Sequence, residues 1–328
     1  MATPRAPRGD GWAPGERRRL GRTGVEVTVL GLGTAPLGGL YDEVSEDAAV
    51  ATVQAALDLG IRYFDTAPLY GHGLSEQRLG LGLAKHGTTG GDVVVSTKVG
   101  RLLRADVPAD PDDIFRGTPP MNPAFDFSAD GVARSLEESL ERLGRDSVDI
   151  VLVHDPDDFG DQVVRETLPA LARWRDEGVT RAIGAGMNQG AMLTRFVDEA
   201  DVDCVLLAGR YTLLDQSALD DLLPRCVERG VAVIAGGVFN SGLLANPVPG
   251  APYDYGPAAD DLVRRAMRMA HVCAEHGVPL KAAALQFPLR HPAVACVLTG
   301  TRSATELAEN AALMRQPIPT ELWDALGV

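Results

Sequence analysis

From about residue 29 the chain alternates short runs of apolar, largely β-branched residues with longer segments whose apolar positions recur at helical spacing. That alternation predicts repeated βα units around a parallel sheet. The predicted strands are 29–33, 63–65, 93–98, 149–154, 182–185, 204–207, 231–235 and 295–298, each short and apolar, as strands covered on both faces should be. One intervening helix begins at a Ser45 cap with Glu46 and Asp47 in its first turn, carries Val50, Val53 and Leu57 as its apolar stripe, and stops at Gly60. Another places Val132, Leu136, Leu140 and Leu143 on one face before Gly144. The eight units predict an α/β fold of the (β/α)8 TIM barrel type. A doubly wound open sheet is the alternative, but its Gly-rich fingerprint is missing after the first strand, where Gly31-Leu32-Gly33-Thr34-Ala35-Pro36 stands and the proline argues against a helix start.

Ahead of the first unit, residues 18–20 and 25–27 flank Gly21-Arg22-Thr23-Gly24, a loop suited to a β-hairpin that can plug the barrel floor. Residues 1–16, rich in Pro, Gly and Arg, read as a flexible leader, and 17–328 as a single barrel. Two connections, 99–128 after the third strand and 243–257 after the seventh, are too long to be turns. In a barrel all strand C-termini open on one face, so both loops should overhang one pocket.

Composition narrows the classes of function. Apolar residues at 45% and charged residues at 23% exclude a disordered or fibrous chain. A net charge of −14 would repel a phosphate backbone, so nucleic acid is not an expected partner. No apolar run approaches the roughly 20 residues that span a bilayer, so no membrane partner is expected either. Cys204, Cys226, Cys273 and Cys296 form no C-x-x-C pair, which points to reduced thiols and a cytoplasmic protein, and the histidines show no pair at metal-ligand spacing. Lysine is confined to Lys85, Lys98 and Lys281, which makes each one worth a reason.

Polar residues at the strand ends of a barrel are where catalysis is built, and three successive predicted strands end in Asp65, Lys98 and His154. Five residues after Asp65 comes Tyr70, in the loop Thr66-Ala67-Pro68-Leu69-Tyr70-Gly71, which is fixed enough to point a phenol inward. A buried lysine needs a carboxylate partner, and Asp65 on the neighbouring strand can supply one. The ammonium beside Tyr70 is then expected to lower the phenol's pKa towards neutrality, giving a proton donor and acceptor, while His154 orients a substrate oxygen. Taken singly, Asp65 can cap a turn, Lys98 can be a structural ion pair and His154 a core histidine; their shared face makes the joint reading the better one. A tyrosine acid without metal or nucleophilic cysteine cannot itself oxidise or reduce, so a hydride carrier is required.

Leu30-Gly31-Leu32-Gly33-Thr34, Phe64-Asp65-Thr66-Ala67 through Tyr70-Gly71, Ser96-Thr97-Lys98 and Leu152-Val153-His154 stand in the order found in the aldo-keto reductases, and the chain resembles that family from about Arg19 to Leu313. The resemblance implies a metal-free barrel whose tetrad falls on Asp65, Tyr70, Lys98 and His154, with a nicotinamide dinucleotide across the barrel mouth. It implies cofactor contacts at Gly33, Thr34 and Asp65, at Asn188 for the carboxamide, at Ser241, Gly242 and Leu243 for the pyrophosphate, and at Gly300, Arg302, Glu306 and Asn310 for the adenosine end. The sequence departs from the family's pattern at Ala235-Gly236-Gly237, where the ring that stacks on the nicotinamide is missing and Phe239 is the nearest substitute. Glu306 stands where members using the phosphorylated cofactor often carry a basic residue, so NAD is expected over NADP, with Arg302 as the opposing consideration.

Within the family, Arg210-Tyr211-Thr212-Leu213-Leu214-Asp215 and 238–244 most resemble the NAD-linked aldose 1-dehydrogenases of the L-fucose and D-threo-aldose type. The implied reaction oxidises the anomeric carbon of a small sugar such as L-fucose or D-arabinose to the lactone. Pyridoxal 4-dehydrogenation and general aldehyde reduction are the alternatives, and a nicotinamide-binding regulatory subunit with slow turnover is the alternative of another class. His72 and Asp155, beside the catalytic positions, are candidates for binding sugar hydroxyls.

Overall fold

Eight parallel strands close into a ring in the computed structural model, which describes residues 11–88, 91–254 and 256–328. They are β1 (Leu30–Gly33), β2 (Tyr63–Asp65), β3 (Val94–Val99), β4 (Ile150–His154), β5 (Ala182–Met187), β6 (Cys204–Ala208), β7 (Ala232–Gly236) and β8 (Val294–Gly300). Each pairs with the next, and β8 returns to β1 with Leu298 opposite Gly31 and Gly300 opposite Gly33. All the predicted strands form, with ends displaced by two residues at most. The ring closes, which excludes the open-sheet alternative.

Ser45 caps the helix Glu46–Asp58 by accepting from the Ala48 amide, and Ser128 caps Ala129–Leu143 by accepting from Gly131. Gly144 ends the latter in the left-handed conformation at φ 62°. Helices of this kind bury Val53, Leu79, Leu136, Leu171 and Phe196 against the outer face of the sheet. Inside the ring a second core forms from Tyr63, Ile150, Leu152, Ile234 and Leu298.

The expected hairpin forms from Arg17–Arg19 and Glu26–Thr28, antiparallel, and pushes Leu20, Val25 and Val27 into that inner core. Of the leader expected over residues 1–16, 1–10 lie outside the described residues, and 11–16 are packed rather than loose. Trp12 is buried, its amide donates to the Met314 carbonyl at 2.8 Å, and the Arg18 guanidinium lies 4.4 Å from its ring centroid. An indole with that much apolar area is ordered by burial whatever the composition of its neighbours.

At the opposite end, the 99–128 connection contains a small antiparallel pair, Arg101–Arg104 with Asn122–Phe125. Its tip is fastened to the loop after β1 by a Leu40–Phe115 bridge, with the Tyr41 amide donating to Ile114 and the Arg116 amide to Gly39. This loop thus roofs one side of the barrel mouth. Among the described residues no helix is long and apolar enough to cross a membrane.

Candidate active site

Asp65 ends β2, Lys98 is the penultimate residue of β3, and His154 ends β4, so strand geometry brings all three to the mouth. Alternation along β3 sends Ser96 and Lys98 inward and Thr97 outward. Thr97 donates to Glu76 at 2.6 Å on the helix Leu74–Lys85, and Glu76 is held from behind by Arg142 Nε at 2.6 Å. Lys98 Nζ donates to Asp65 Oδ2 at 2.6 Å, to the Thr66 carbonyl at 3.0 Å and to Tyr70 Oη at 2.9 Å. Three donors meet three acceptors, so this buried ammonium is fully satisfied.

Behind it, Ser96 Oγ donates to Asp65 Oδ1 at 2.6 Å and lies 3.0 Å from Tyr63 Oη. Tyr70 is set in place by a backbone contact that only glycine allows. A Cβ on Gly38 would lie 2.7 Å from the Tyr70 carbonyl, and one on Gly71, at φ +62°, would lie 2.1 Å from the Gly38 oxygen. The His154 ring stands edge-on to Tyr70, centroids 5.6 Å apart. These groups line a cavity of about 150 Å³ completed by Ala35, Leu40, Leu69, Ile114, Phe115, Asp155, Gly186, Met187, Leu206 and Ala208.

Burial pulls the Lys98 pKa down, but the Asp65 carboxylate and the Tyr70 oxygen more than offset it and hold the ammonium charged above its ordinary range. The phenol behaves differently from the expectation of a near-neutral pKa. Burial, the largest influence, raises Tyr70 above its ordinary value, Asp65 adds to the rise, and the Lys98 charge opposes both without prevailing. The tyrosine is therefore a neutral proton donor at pH 7. His154 is pushed well below its ordinary value, by burial first and then by the Arg101 and Lys98 charges, and is neutral too. Its Nδ1 is buried without a partner, while Nε2 lies 3.4 Å from Asp155 Oδ2, which favours the proton on Nε2.

The residues expected around the cofactor divide into two groups. Gly33 and Gly300 sit opposite each other where β1 and β8 reach the mouth, and Asn188 directly follows β5. Asn310, on the helix Ala304–Arg315 that follows β8, is buried with Oδ1 unpartnered, as are Thr299 Oγ1 and Thr301 Oγ1 at the end of β8 and Asn240 Oδ1 in the loop after β7. Buried polar atoms without partners are rare and suit a hydrogen-bonding ligand, so this rim fits a dinucleotide. Other candidates are engaged internally. The Thr34 hydroxyl donates to the Asp65 carbonyl at 2.8 Å. The Gly242 and Leu243 amides, expected to face a pyrophosphate, close their own turn onto Phe239 and Asn240 around the left-handed, half-buried Ser241, φ 56°. Arg302 is gripped by Asp42 and Glu306, and its amide donates to Glu306 Oε2 at 2.9 Å.

Gly236 leaves no ring at the end of β7, and the Phe239 ring lies 5.8 Å from Lys281 Nζ. Tyr211 is packed away against Phe287. Sequence reasoning did not single out Ser96, Glu76 or Asp42 as parts of the site. Only Ser96 left a signal, since the two-residue period of β3 puts it on the face of Lys98.

A closed (β/α)8 barrel with a Lys-bridged Asp and Tyr at its mouth and a neutral histidine alongside defines an oxidoreductase that moves a proton and a hydride on a C–OH or carbonyl carbon. The chain belongs to the aldo/keto reductase family, whose pattern it matches over residues 29–327. It is 43% identical to a D-threo-aldose 1-dehydrogenase of Pseudomonas sp over 93% of this chain and 94% of that protein. It is 42% identical to a pyridoxal 4-dehydrogenase of Microbacterium luteolum over 95% and 96% of the two chains. The holo form of an aldo-keto reductase from Bacillus halodurans superposes with a TM-score of 0.74 at 26% identity, covering 95% of each chain. Enzymes of this family act on small molecules with nicotinamide cofactors.

Proposed function

We propose that this protein is an NAD-dependent aldose 1-dehydrogenase that oxidises the anomeric carbon of a small sugar to the lactone, with Tyr70, Lys98, Asp65 and His154 as its catalytic residues. The observation that carries the reading is the placement of Lys98 Nζ between Asp65 Oδ2 and Tyr70 Oη, 2.6 and 2.9 Å away, at the wall of the cavity in the barrel mouth. The anomeric hydroxyl is held between Tyr70 Oη and His154 Nε2. Neutral His154 donates to the substrate oxygen and fixes its direction. Tyr70, once ionised, takes the hydroxyl proton, and Lys98 stabilises the phenolate because Asp65 keeps the ammonium charged and aimed. When bound, a nicotinamide dinucleotide supplies the hydride acceptor that none of these side chains can be. Asn188, Ser241, Gly300 and Asn310 would hold it, with Gly33 allowing close approach at the rim.

The preference for NAD over NADP rests on the adenosine end. Arg302, the cation expected to attract a 2′-phosphate, is already paired with two carboxylates, and Glu306 would repel the phosphate. The relative named D-threo-aldose 1-dehydrogenase supports the sugar substrate, and Phe115, 6.2 Å from Tyr70, gives the pyridoxal reading its own support as a face for an aromatic hemiacetal. The four free, buried cysteines suit a reducing cytoplasm. The test is the appearance of reduced nicotinamide absorbance with NAD and NADP, each against L-fucose, D-arabinose, L-galactose, D-glucose and pyridoxal. Turnover of a sugar with NAD is the expected result; turnover of pyridoxal alone, or of no compound, overturns the aldose reading.

A further inference from the structure

The polar group nearest the reacting centre that the mechanism leaves unused is the pair Asp155–Arg101. Asp155 directly follows β4 with φ +38°, a left-handed conformation that residues with side chains rarely adopt, and its amide donates to the Gly186 carbonyl at 3.1 Å. Backbone strain of this kind persists where the surroundings impose it, and it clusters at functional sites. Here its effect is to turn the carboxylate over the barrel mouth, where Asp155 lines the same cavity as Tyr70, Lys98 and His154.

The pair is rigidly held. Arg101 Nη2 donates to Asp155 Oδ2 at 2.9 Å, and its guanidinium lies 4.8 Å from the Phe125 ring centroid, on the far strand of the loop that roofs the mouth. His154 Nε2 is 3.4 Å from the same Oδ2. Both contacts of the carboxylate, one with the Arg101 cation and one with the neutral imidazole, therefore fall on Oδ2, and Oδ1 keeps acceptor capacity for a ligand. The rest of the wall is largely apolar, with Leu40, Leu69, Ile114, Phe115, Met187 and Leu206. A carboxylate kept in such surroundings is costly, and burial indeed raises its pKa against the pull of Arg101 and Lys98. A fixed acceptor beside a fixed donor, one step beyond the histidine that holds the reacting oxygen, matches one substrate feature: a hydroxyl on the carbon next to the reacting carbon.

We propose that Asp155, positioned by Arg101, determines specificity by accepting a hydrogen bond from the vicinal hydroxyl, so that the site selects cyclic hemiacetals carrying a 1,2-diol over those that lack one. This rests on the dehydrogenase reading above and narrows it, because an aldose has that hydroxyl and the pyridoxal hemiacetal does not. A site built to bind a hydroxyl rejects the analogue lacking it because its own polar groups are left unpaired, by about 10⁴ when fully buried. Asp155 keeps 35% of its side chain exposed, so a smaller factor of about 10² to 10³ is expected.

The experiment compares kcat/KM with NAD for L-fucose against 2-deoxy-L-fucose, and for D-arabinose against 2-deoxy-D-ribose, in the wild type and in Asp155→Ala. The wild type should favour the hydroxylated sugar of whichever pair it uses by about 10² to 10³, and in the variant that ratio should fall below about ten. Quenching of protein fluorescence by NADH, with the wild-type Kd, reports that the variant is folded; if it is not, Asp155→Asn and Arg101→Gln are expected to lower the same ratio. A wild type that does not discriminate, or variants that lose both sugars in equal proportion, overturns the proposal. A wild type that oxidises no sugar overturns the aldose dehydrogenase reading instead, which separates the two failures.

Discussion

Tyr70 carries a proton that burial holds more tightly than in water, next to an ammonium that Asp65 keeps permanently charged. The two directions of the reaction should therefore respond differently to pH. Oxidation needs the phenolate, whose fraction grows as pH approaches and passes a pKa above the ordinary tyrosine value, so kcat for oxidation should climb through the alkaline range without a plateau below about pH 10. Reduction needs the phenol and should hold steady over that interval. His154, already neutral, should add no step near its ordinary value of 6.5. A titration near neutrality in the kcat profile for oxidation would show that the cation prevails over burial. Tyr70→Phe should keep NADH affinity and lose about 10² to 10⁴ in kcat, read in steady-state assays beside fluorescence quenching. The convergence of the four residues proposed as catalytic was legible because each falls at or beside the end of an apolar run or on the fixed loop that follows one. The direction of the phenol's pKa was not, because it depends on how completely the ring is enclosed, which no local pattern records.

The elements themselves follow from periodicity. Short apolar runs and 3.6-residue stripes located the strands to within two residues, and the Ser caps and the glycine after the helix Ala129–Leu143 located its ends. The hairpin was legible from its two-glycine loop, and its role as a plug followed from the apolar residues flanking that loop. Leu20, fully buried in the inner core, should be costly to truncate: Leu20→Ala is expected to destabilise the protein by about 3 kcal/mol in chemical denaturation. Because the plug lies at the barrel floor, KM for sugar and cofactor should be unchanged in the surviving fold. A KM shift beyond about threefold, which corresponds to less than 1 kcal/mol, would show that floor and mouth are coupled. Trp12 marks the limit of the pattern at this scale. A lone aromatic in a Pro, Gly and Arg-rich segment has no periodicity to announce it, yet it is buried.

Across the whole molecule, the proposed preference for NAD turns on an ion pair between residues 260 positions apart, Asp42 after β1 and Arg302 after β8. Sequence showed Arg302 and Glu306 as opposing signals; closure of the barrel brings Asp42 to the same spot and ties up the guanidinium. Asp42→Ala combined with Glu306→Gln should free Arg302 and raise kcat/KM for NADP relative to NAD by at least about tenfold, or 1.4 kcal/mol. An unchanged ratio would remove Arg302 from cofactor choice. The sequence by itself determined the barrel, its plug and the four strand-end and loop residues that meet at the barrel mouth, because these depend on side-chain periodicity and on a shared strand polarity that is repeated in every unit. Tertiary structure alone decided the Ser96 and Tyr63 support behind Asp65, the glycine contact that seats Tyr70, the Asp155–Arg101 pair and the Asp42 clasp. Those arise where distant segments meet at distances of a few ångströms, and such distances are set by packing of the whole ring rather than by the order of residues along any one segment.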